Sequence, residues 1–184
     1  MKLKSSAARF SVLILHAVFV LLVSLPVAYG QLTEIDVRIP KKVPLKIEFK
    51  NHDSENWVHD LEIVVTNTST KPIYFIFLCL VLDVKAQDGN NYGFPFFFGN
   101  GDLYGKVDME AKPNDASIAP GEVYTFRIEE KLGDAWDYRK TDPLTAPFYV
   151  EPRKGELELG WLSYGDGSGF QGGGSPFKKK GKRS

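Results

Sequence analysis

The sequence predicts an all-β fold, a single antiparallel β-sandwich that follows an N-terminal signal peptide. Three observations predict it. Short runs alternate apolar and charged residues with a period of two, clusters of Pro, Gly, Asn and Asp separate them, and residues 31–184 show no amphipathic helical pattern.

The first thirty residues read as the leader. Lys2, Lys4 and Arg9 make a positive start, Val12 to Leu25 is apolar apart from His16 and Ser24, and Pro26 precedes the small-residue exit Ala28-Tyr29-Gly30. About 14 apolar residues span roughly 21 Å as a helix, short of the roughly 30 Å hydrocarbon core, so a cleaved leader is expected rather than a membrane anchor. No Cys follows the exit, so a lipoprotein is not indicated. The expected location is periplasmic or extracellular, and residues 31–42 read as an N-terminal extension.

The sandwich is expected over residues 43–165. LKIEF, from Leu45, alternates as a strand with one wet face. DLEIVVTN repeats the pattern, with Leu61, Ile63 and Val65 on one side and Glu62, Val64 and Thr66 on the other. NTSTKP follows as a turn, because Asn and Ser side chains bond the nearby backbone and Pro72 fixes φ. Ile73 to Val84 carries apolar residues on both faces and is placed centrally, and Asp88-Gly89 then signals a hairpin. GFPFFFGNGDLYG crowds Phe94, Phe96, Phe97 and Phe98 around Pro95. Pro cannot donate to a central ladder, so this is expected to be an irregular edge whose rings cover the outer face of the Ile73–Val84 strand. Pro120-Gly121 turns into a strand from Val123 to Ile128, and KLGDAWDYRKTDPLTAPF reads as a long connection with at most one helical turn near Trp136. ELELGWLSY closes the sandwich, with Leu157, Leu159 and Trp161 expected on one face and Glu158, Gly160 and Leu162 on the other. Residues 166–184 read as a Gly-rich linker and a disordered basic tail.

The segments Val64 to Asn67, Ile73 to Asp83 and Pro120 to Glu122 resemble bacterial exported immunoglobulin-like or fibronectin-like sandwich domains over Val43 to Tyr164. The resemblance rests on an Asn-rich turn, a long central strand and a Pro-Gly-Glu turn. It implies an immunoglobulin-like sandwich with a binding or adhesion role at the cell envelope or exterior, and it carries no active site over.

Charge narrows the partners. Residues 1–30 hold three of the 23 basic residues and none of the 23 acids, so the remainder carries a net −3. Five further cations, Lys178, Lys179, Lys180, Lys182 and Arg183, sit in the last ten residues, leaving the body to Gly174 at −8. An acidic body opposes nucleic-acid binding, which needs cations to displace counterions. The basic tail is suited to weak contact with an anionic membrane, at about 1 kcal/mol per cation. The one cysteine, Cys79, rules out an intramolecular disulfide and a Cys-based zinc site, and reads as a buried thiol.

No constellation predicts catalysis. His52 and His59 flank a polar loop without metal-ligand spacing. Asp88 and Asn90, Asp102, and Asp166 lie in three oxygen-rich turns that suit calcium weakly, none with the spacing of a calcium loop, and no metal or other cofactor is expected. Gly167, Gly169 and Gly172 fit G-x-G-x-x-G, but no helix follows to receive a pyrophosphate. The candidate ligand contacts are aromatic: Tyr92, Phe94, Tyr104, Trp136 and Tyr138 combine flat faces with polar edges suited to a glycan or a protein. The sequence therefore predicts a non-catalytic interaction domain. The alternatives are a secreted hydrolase or hydrolase inhibitor on the same scaffold, and a filler domain working beside another protein.

Overall fold

The computed structural model describes residues 32–86 and 89–179. The expected leader, Asp88, Lys180, Lys182 and Arg183 lie outside the described residues. Among the described residues nine strands form two facing sheets: β1 (Glu34–Val37), β2 (Leu45–Lys50), β3 (Glu62–Asn67), β4 (Phe75–Lys85), β5 (Asn91–Gly99), β6 (Val123–Arg127), β7 (Lys154–Ser163), β8 (Ser168–Gln171) and β9 (Ser175–Lys178). One sheet has the order β2-β3-β6; the other runs β5-β4-β7-β8-β9, with β1 beside β7. Every pairing is antiparallel except β1 on β7.

The alternation in the sequence sets the register. Leu45, Ile47 and Phe49 of β2 pack against the core while Lys46, Glu48 and Lys50 are exposed. Ile47 stands opposite Val65, and Val65 opposite Tyr124, so one apolar stripe crosses the small sheet. The long sheet answers with Ile76, Leu78, Leu80 and Leu82 of β4 and Leu157 and Leu159 of β7, all buried. Burying one such side chain contributes about 1.5–3 kcal/mol, so this stripe is the main reason the sheets face one another.

Pro95 lies on the edge strand β5, as expected, but the rings around it split by parity. Phe94 and Phe96 are buried in the interior, near Trp57 and Phe126 respectively, whereas Phe97 points outward and stacks on Phe77. The expectation that the whole cluster covers the outer face is thus corrected to one ring, because alternate residues of a strand leave by opposite faces.

Four further features differ from the sequence reading. Glu130–Thr141 is an α-helix, α1, of three turns rather than a loop. Its outer side is polar and few of its side chains are buried, so no 3.6-residue pattern advertises it. In β7 the register with β4 shifts between Phe77 and Leu78, which makes Gly160 a bulge. Beyond it the faces exchange: Trp161 sits opposite Phe77 on the outer face and Leu162 opposite Ile76 on the core face, reversing the expected assignment. β1 lies in the expected extension, and the β8–β9 hairpin lies in the expected linker and tail, so paired strand runs from Glu34 to Lys178. Cys79 is half-buried on the outer face rather than enclosed.

Candidate functional site

The outer face of the long sheet is aromatic at one end. Phe97, Phe77 and Trp161 stand side by side across β5, β4 and β7. Phe77 lies across Gly160, where any Cβ would come within 2.3 Å of its ring, so the bulge is what lets the ring lie flat. Phe97 stacks on Phe77 at 4.8 Å and 11°. The segment after β5 then folds over this end: Leu103 is buried with Phe75 and Trp161, and Tyr104 stands edge-on to Phe77 at 5.6 Å. Phe177 of β9 closes the row by stacking on Trp161 at 4.5 Å. Phe97 and Tyr104 remain 53% and 50% exposed, on rings fixed from beneath. A hollow of about 420 Å³, lined by Gly105, Lys106, Val107, Asp108 and Met109, continues the chain from Tyr104. The next row of the face, Pro95, Cys79 and Glu158, carries no ring wider than a pyrrolidine. Burial, with the Glu158 carboxylate adding to it, pushes the Cys79 thiol up, away from its reactive form.

A second surface is organised by α1. Trp136 is fully buried against Trp57, Tyr92, Phe94 and Tyr149, with ring centroids 4.9–6.0 Å apart. Gly133 makes room for His59, which would meet a Cβ there at 2.7 Å, and His59 Nε2 bonds Asp137 Oδ2 at 2.8 Å. Burial raises the Asp137 carboxyl, but the bonds from His59 and Lys140 outweigh it and hold the group below its usual value. One turn from Trp136, the Arg139 guanidinium lies over the rings of Tyr92 and Trp136, at 4.6 and 4.9 Å. Burial and the bond to Glu151 push the Tyr149 hydroxyl far up, so it stays a neutral donor.

The expected contacts therefore divide. Phe94 and Trp136 belong to the core and present no face to a ligand. Tyr92 is half-buried beneath Arg139, Tyr138 is exposed on α1, and Tyr104 stands on the outer aromatic face. Sequence reasoning passed over Phe77, Phe97 and Arg139 as contacts. The first two were hidden by the question of strand parity, and Arg139 by the unread helix that sets it three residues after Trp136.

The calcium candidates do not converge. Asn90 adjoins the Lys85–Asn91 end of the β4–β5 hairpin and Asp102 follows its opposite end, so about 30 Å of strand separates them at about 3.3 Å per residue. Asp166 bonds Lys71 Nζ at 2.6 Å and accepts from Ser168 N at 3.0 Å, as a turn acid does. Among the described residues no group of three or more His, Cys, Asp or Glu is placed to hold a metal ion. Of the tail cations, Lys178 lies in β9 and Lys179 pairs with Glu110 at 3.1 Å. No helix among the described residues is long and apolar enough to cross a membrane. No protein-family model, no curated protein and no solved structure matches the chain.

Proposed function

We propose that the protein is an exported, non-catalytic binding domain that takes a glycan on the terrace formed by Phe97, Phe77 and Tyr104. The observation that carries the reading is the pair of half-exposed rings, Phe97 stacked on Phe77 and Tyr104 edge-on to it, beside a hollow with polar edges. A pyranose presents an apolar face and a polar rim. A rigid ring can meet the face at small entropic cost, and loop 105–109 can meet the rim. The leader-like first thirty residues support export to the periplasm or exterior.

The finer fold assignment belongs to the same proposal. The order β2-β3-β6 facing β5-β4-β7-β8 supports an immunoglobulin-like sandwich, in which strands A, B and E face C′, C, F and G. A β4-to-β5 hairpin within one sheet, and crossings between the sheets before β4, β6 and β7, follow from that order.

The test is a glycan array followed by calorimetric titration of the retained oligosaccharide. Phe97→Ala and Tyr104→Ala should each weaken binding about tenfold, whereas Tyr138→Ala, on α1, should not. Retention of no glycan, or unchanged affinity in both terrace variants, overturns the reading. A protein captured through the same two rings would replace the glycan half of the proposal with a protein partner.

A further inference from the structure

Arg139 has an unusual set of partners. Its Nη2 donates to Lys85 O at a long 3.4 Å, and its Nη1 is buried with no hydrogen-bond partner. Among the described residues no carboxylate lies within ion-pair distance of it. The two rings under the guanidinium stabilise its charge in part but accept no N–H bond in its plane. A half-buried guanidinium normally spends its fork on a carboxylate or phosphate, and an unpaired one is costly.

That fork borders a groove. One compartment, of about 410 Å³, is lined by Lys85, Ala86, Arg139, Leu144, Thr145 and Phe148. A smaller one of about 280 Å³ shares Lys85, Arg139 and Phe148 and adds Asp83, Val84 and Val150. Leu144 and Phe148 are 80% and 82% exposed, so the groove has apolar walls that nothing in the chain covers among the described residues. Asp83, its Oδ1 bonded to Arg153 N at 3.1 Å, puts a negative charge at the edge of the smaller compartment only. Among the described residues, the larger compartment is therefore lined by two cations and an apolar wall, with no acid.

We infer that this groove binds a free apolar carboxylic acid, its carboxylate on Arg139 and Lys85 and its tail against Leu144 and Phe148. A small swing of the guanidinium from the long Lys85 contact into the compartment it lines gives both Nη groups to one carboxylate. That exchanges a poor bond and an empty donor for a bidentate pair. The volume falls in the range of small-molecule sites, and the few-cations-in-an-apolar-wall composition is theirs as well. The site is separate from the aromatic terrace, which lies on the outer face of the long sheet.

Sodium octanoate is the probe, followed through the fluorescence change expected from Trp136, whose ring lies under Arg139, and by calorimetry. Octanoate should saturate a single site, with octan-1-ol at least tenfold weaker and hexanoate weaker by about threefold to fourfold per methylene lost. Arg139→Gln should weaken octanoate at least tenfold while leaving octan-1-ol unchanged. Phe148→Ser should weaken both. Lys85→Gln, on an exposed side chain, provides a second charge deletion should Arg139→Gln lower stability, and should weaken octanoate alone. Equal binding of octanoate and octan-1-ol, or full affinity in both charge variants, overturns the inference. So does a peptide with a free apolar C-terminus that binds more tightly than octanoate and loses binding on amidation, because the occupant would then be a protein end rather than a free acid.

Discussion

Asn67 is a fully buried amide at the point where the chain leaves β3 and crosses to the other sheet. Its Nδ2 donates to Lys71 O and Ile118 O, both at 2.8 Å, and its Oδ1 accepts from Ser69 N at 3.0 Å and Ser69 Oγ at 2.7 Å. All four bonding positions of the amide are filled. Asn67→Ala removes the four bonds without stranding an acceptor, since the Ser69 hydroxyl, freed from Oδ1, can turn its one proton to Lys71 O 2.7 Å away and Ile118 O keeps Ile73 N at 3.0 Å. The cost is then the net value of the bonds themselves. The two Nδ2 bonds contribute about 1 kcal/mol each, and the two to Ser69, near solvent, about 1 kcal/mol together, which gives about 3 kcal/mol. In a domain of this size 1 kcal/mol moves Tm by about 2–4 °C, so the variant should melt roughly 6–12 °C below wild type in a calorimetric scan. Asn67→Asp keeps the Ser69 contacts but turns an oxygen toward two carbonyls, and should lose at least as much. An Asn67→Ala melt within about 2 °C of wild type refutes the view that this amide ties the crossover to both sheets.

Gly160→Ala should cost about 1–3 kcal/mol in chemical denaturation, because its Cβ would meet Phe77 and the ring must leave its stack on Phe97. Thermal stability should fall as pH drops below the ordinary carboxylate range. The Asp137 and Asp166 carboxyls are held below their usual values against burial, by His59 and Lys140 in one case and by Lys71 and Ser168 in the other. The unfolded chain therefore binds more protons there, and the double variant Asp137→Asn, Asp166→Asn should flatten the acid limb of a Tm-against-pH curve. Cys79 should alkylate with iodoacetamide more slowly than a free thiol at neutral pH, because burial and Glu158 raise its pKa, and Glu158→Gln should speed the reaction.

Where side chains alternate cleanly, the sequence is enough to place the strand and its faces. LKIEF, EIVVTN and VYTFR occupy the expected positions, and Pro95 marks the edge. Legibility fails where one residue breaks the count. Gly160 looks like any strand glycine, yet the bulge there exchanges the faces of Trp161 and Leu162. It fails again where an element buries few side chains. α1 is held mainly by Trp136 and the His59–Asp137 bond, so it has no stripe to read. β8 and β9 are four residues each inside a glycine-rich run, and Gly173 and Gly174 turn between them at φ 66° and 73°. The same run that reads as a linker supplies the positive-φ turn of a hairpin. The candidate surfaces follow from these two misreadings, since the terrace depends on the bulge and Arg139 on the helix.

Titration of ¹⁵N-labelled protein with a panel of neutral hexasaccharides, followed by amide chemical shifts, tests the proposed binding surface most directly. The account predicts that a bound sugar perturbs Phe77, Phe97, Tyr104 and residues 105–109 together, and leaves β2 and α1 unmoved. Shifts centred on any other face, or none with any sugar of the panel, would contradict it.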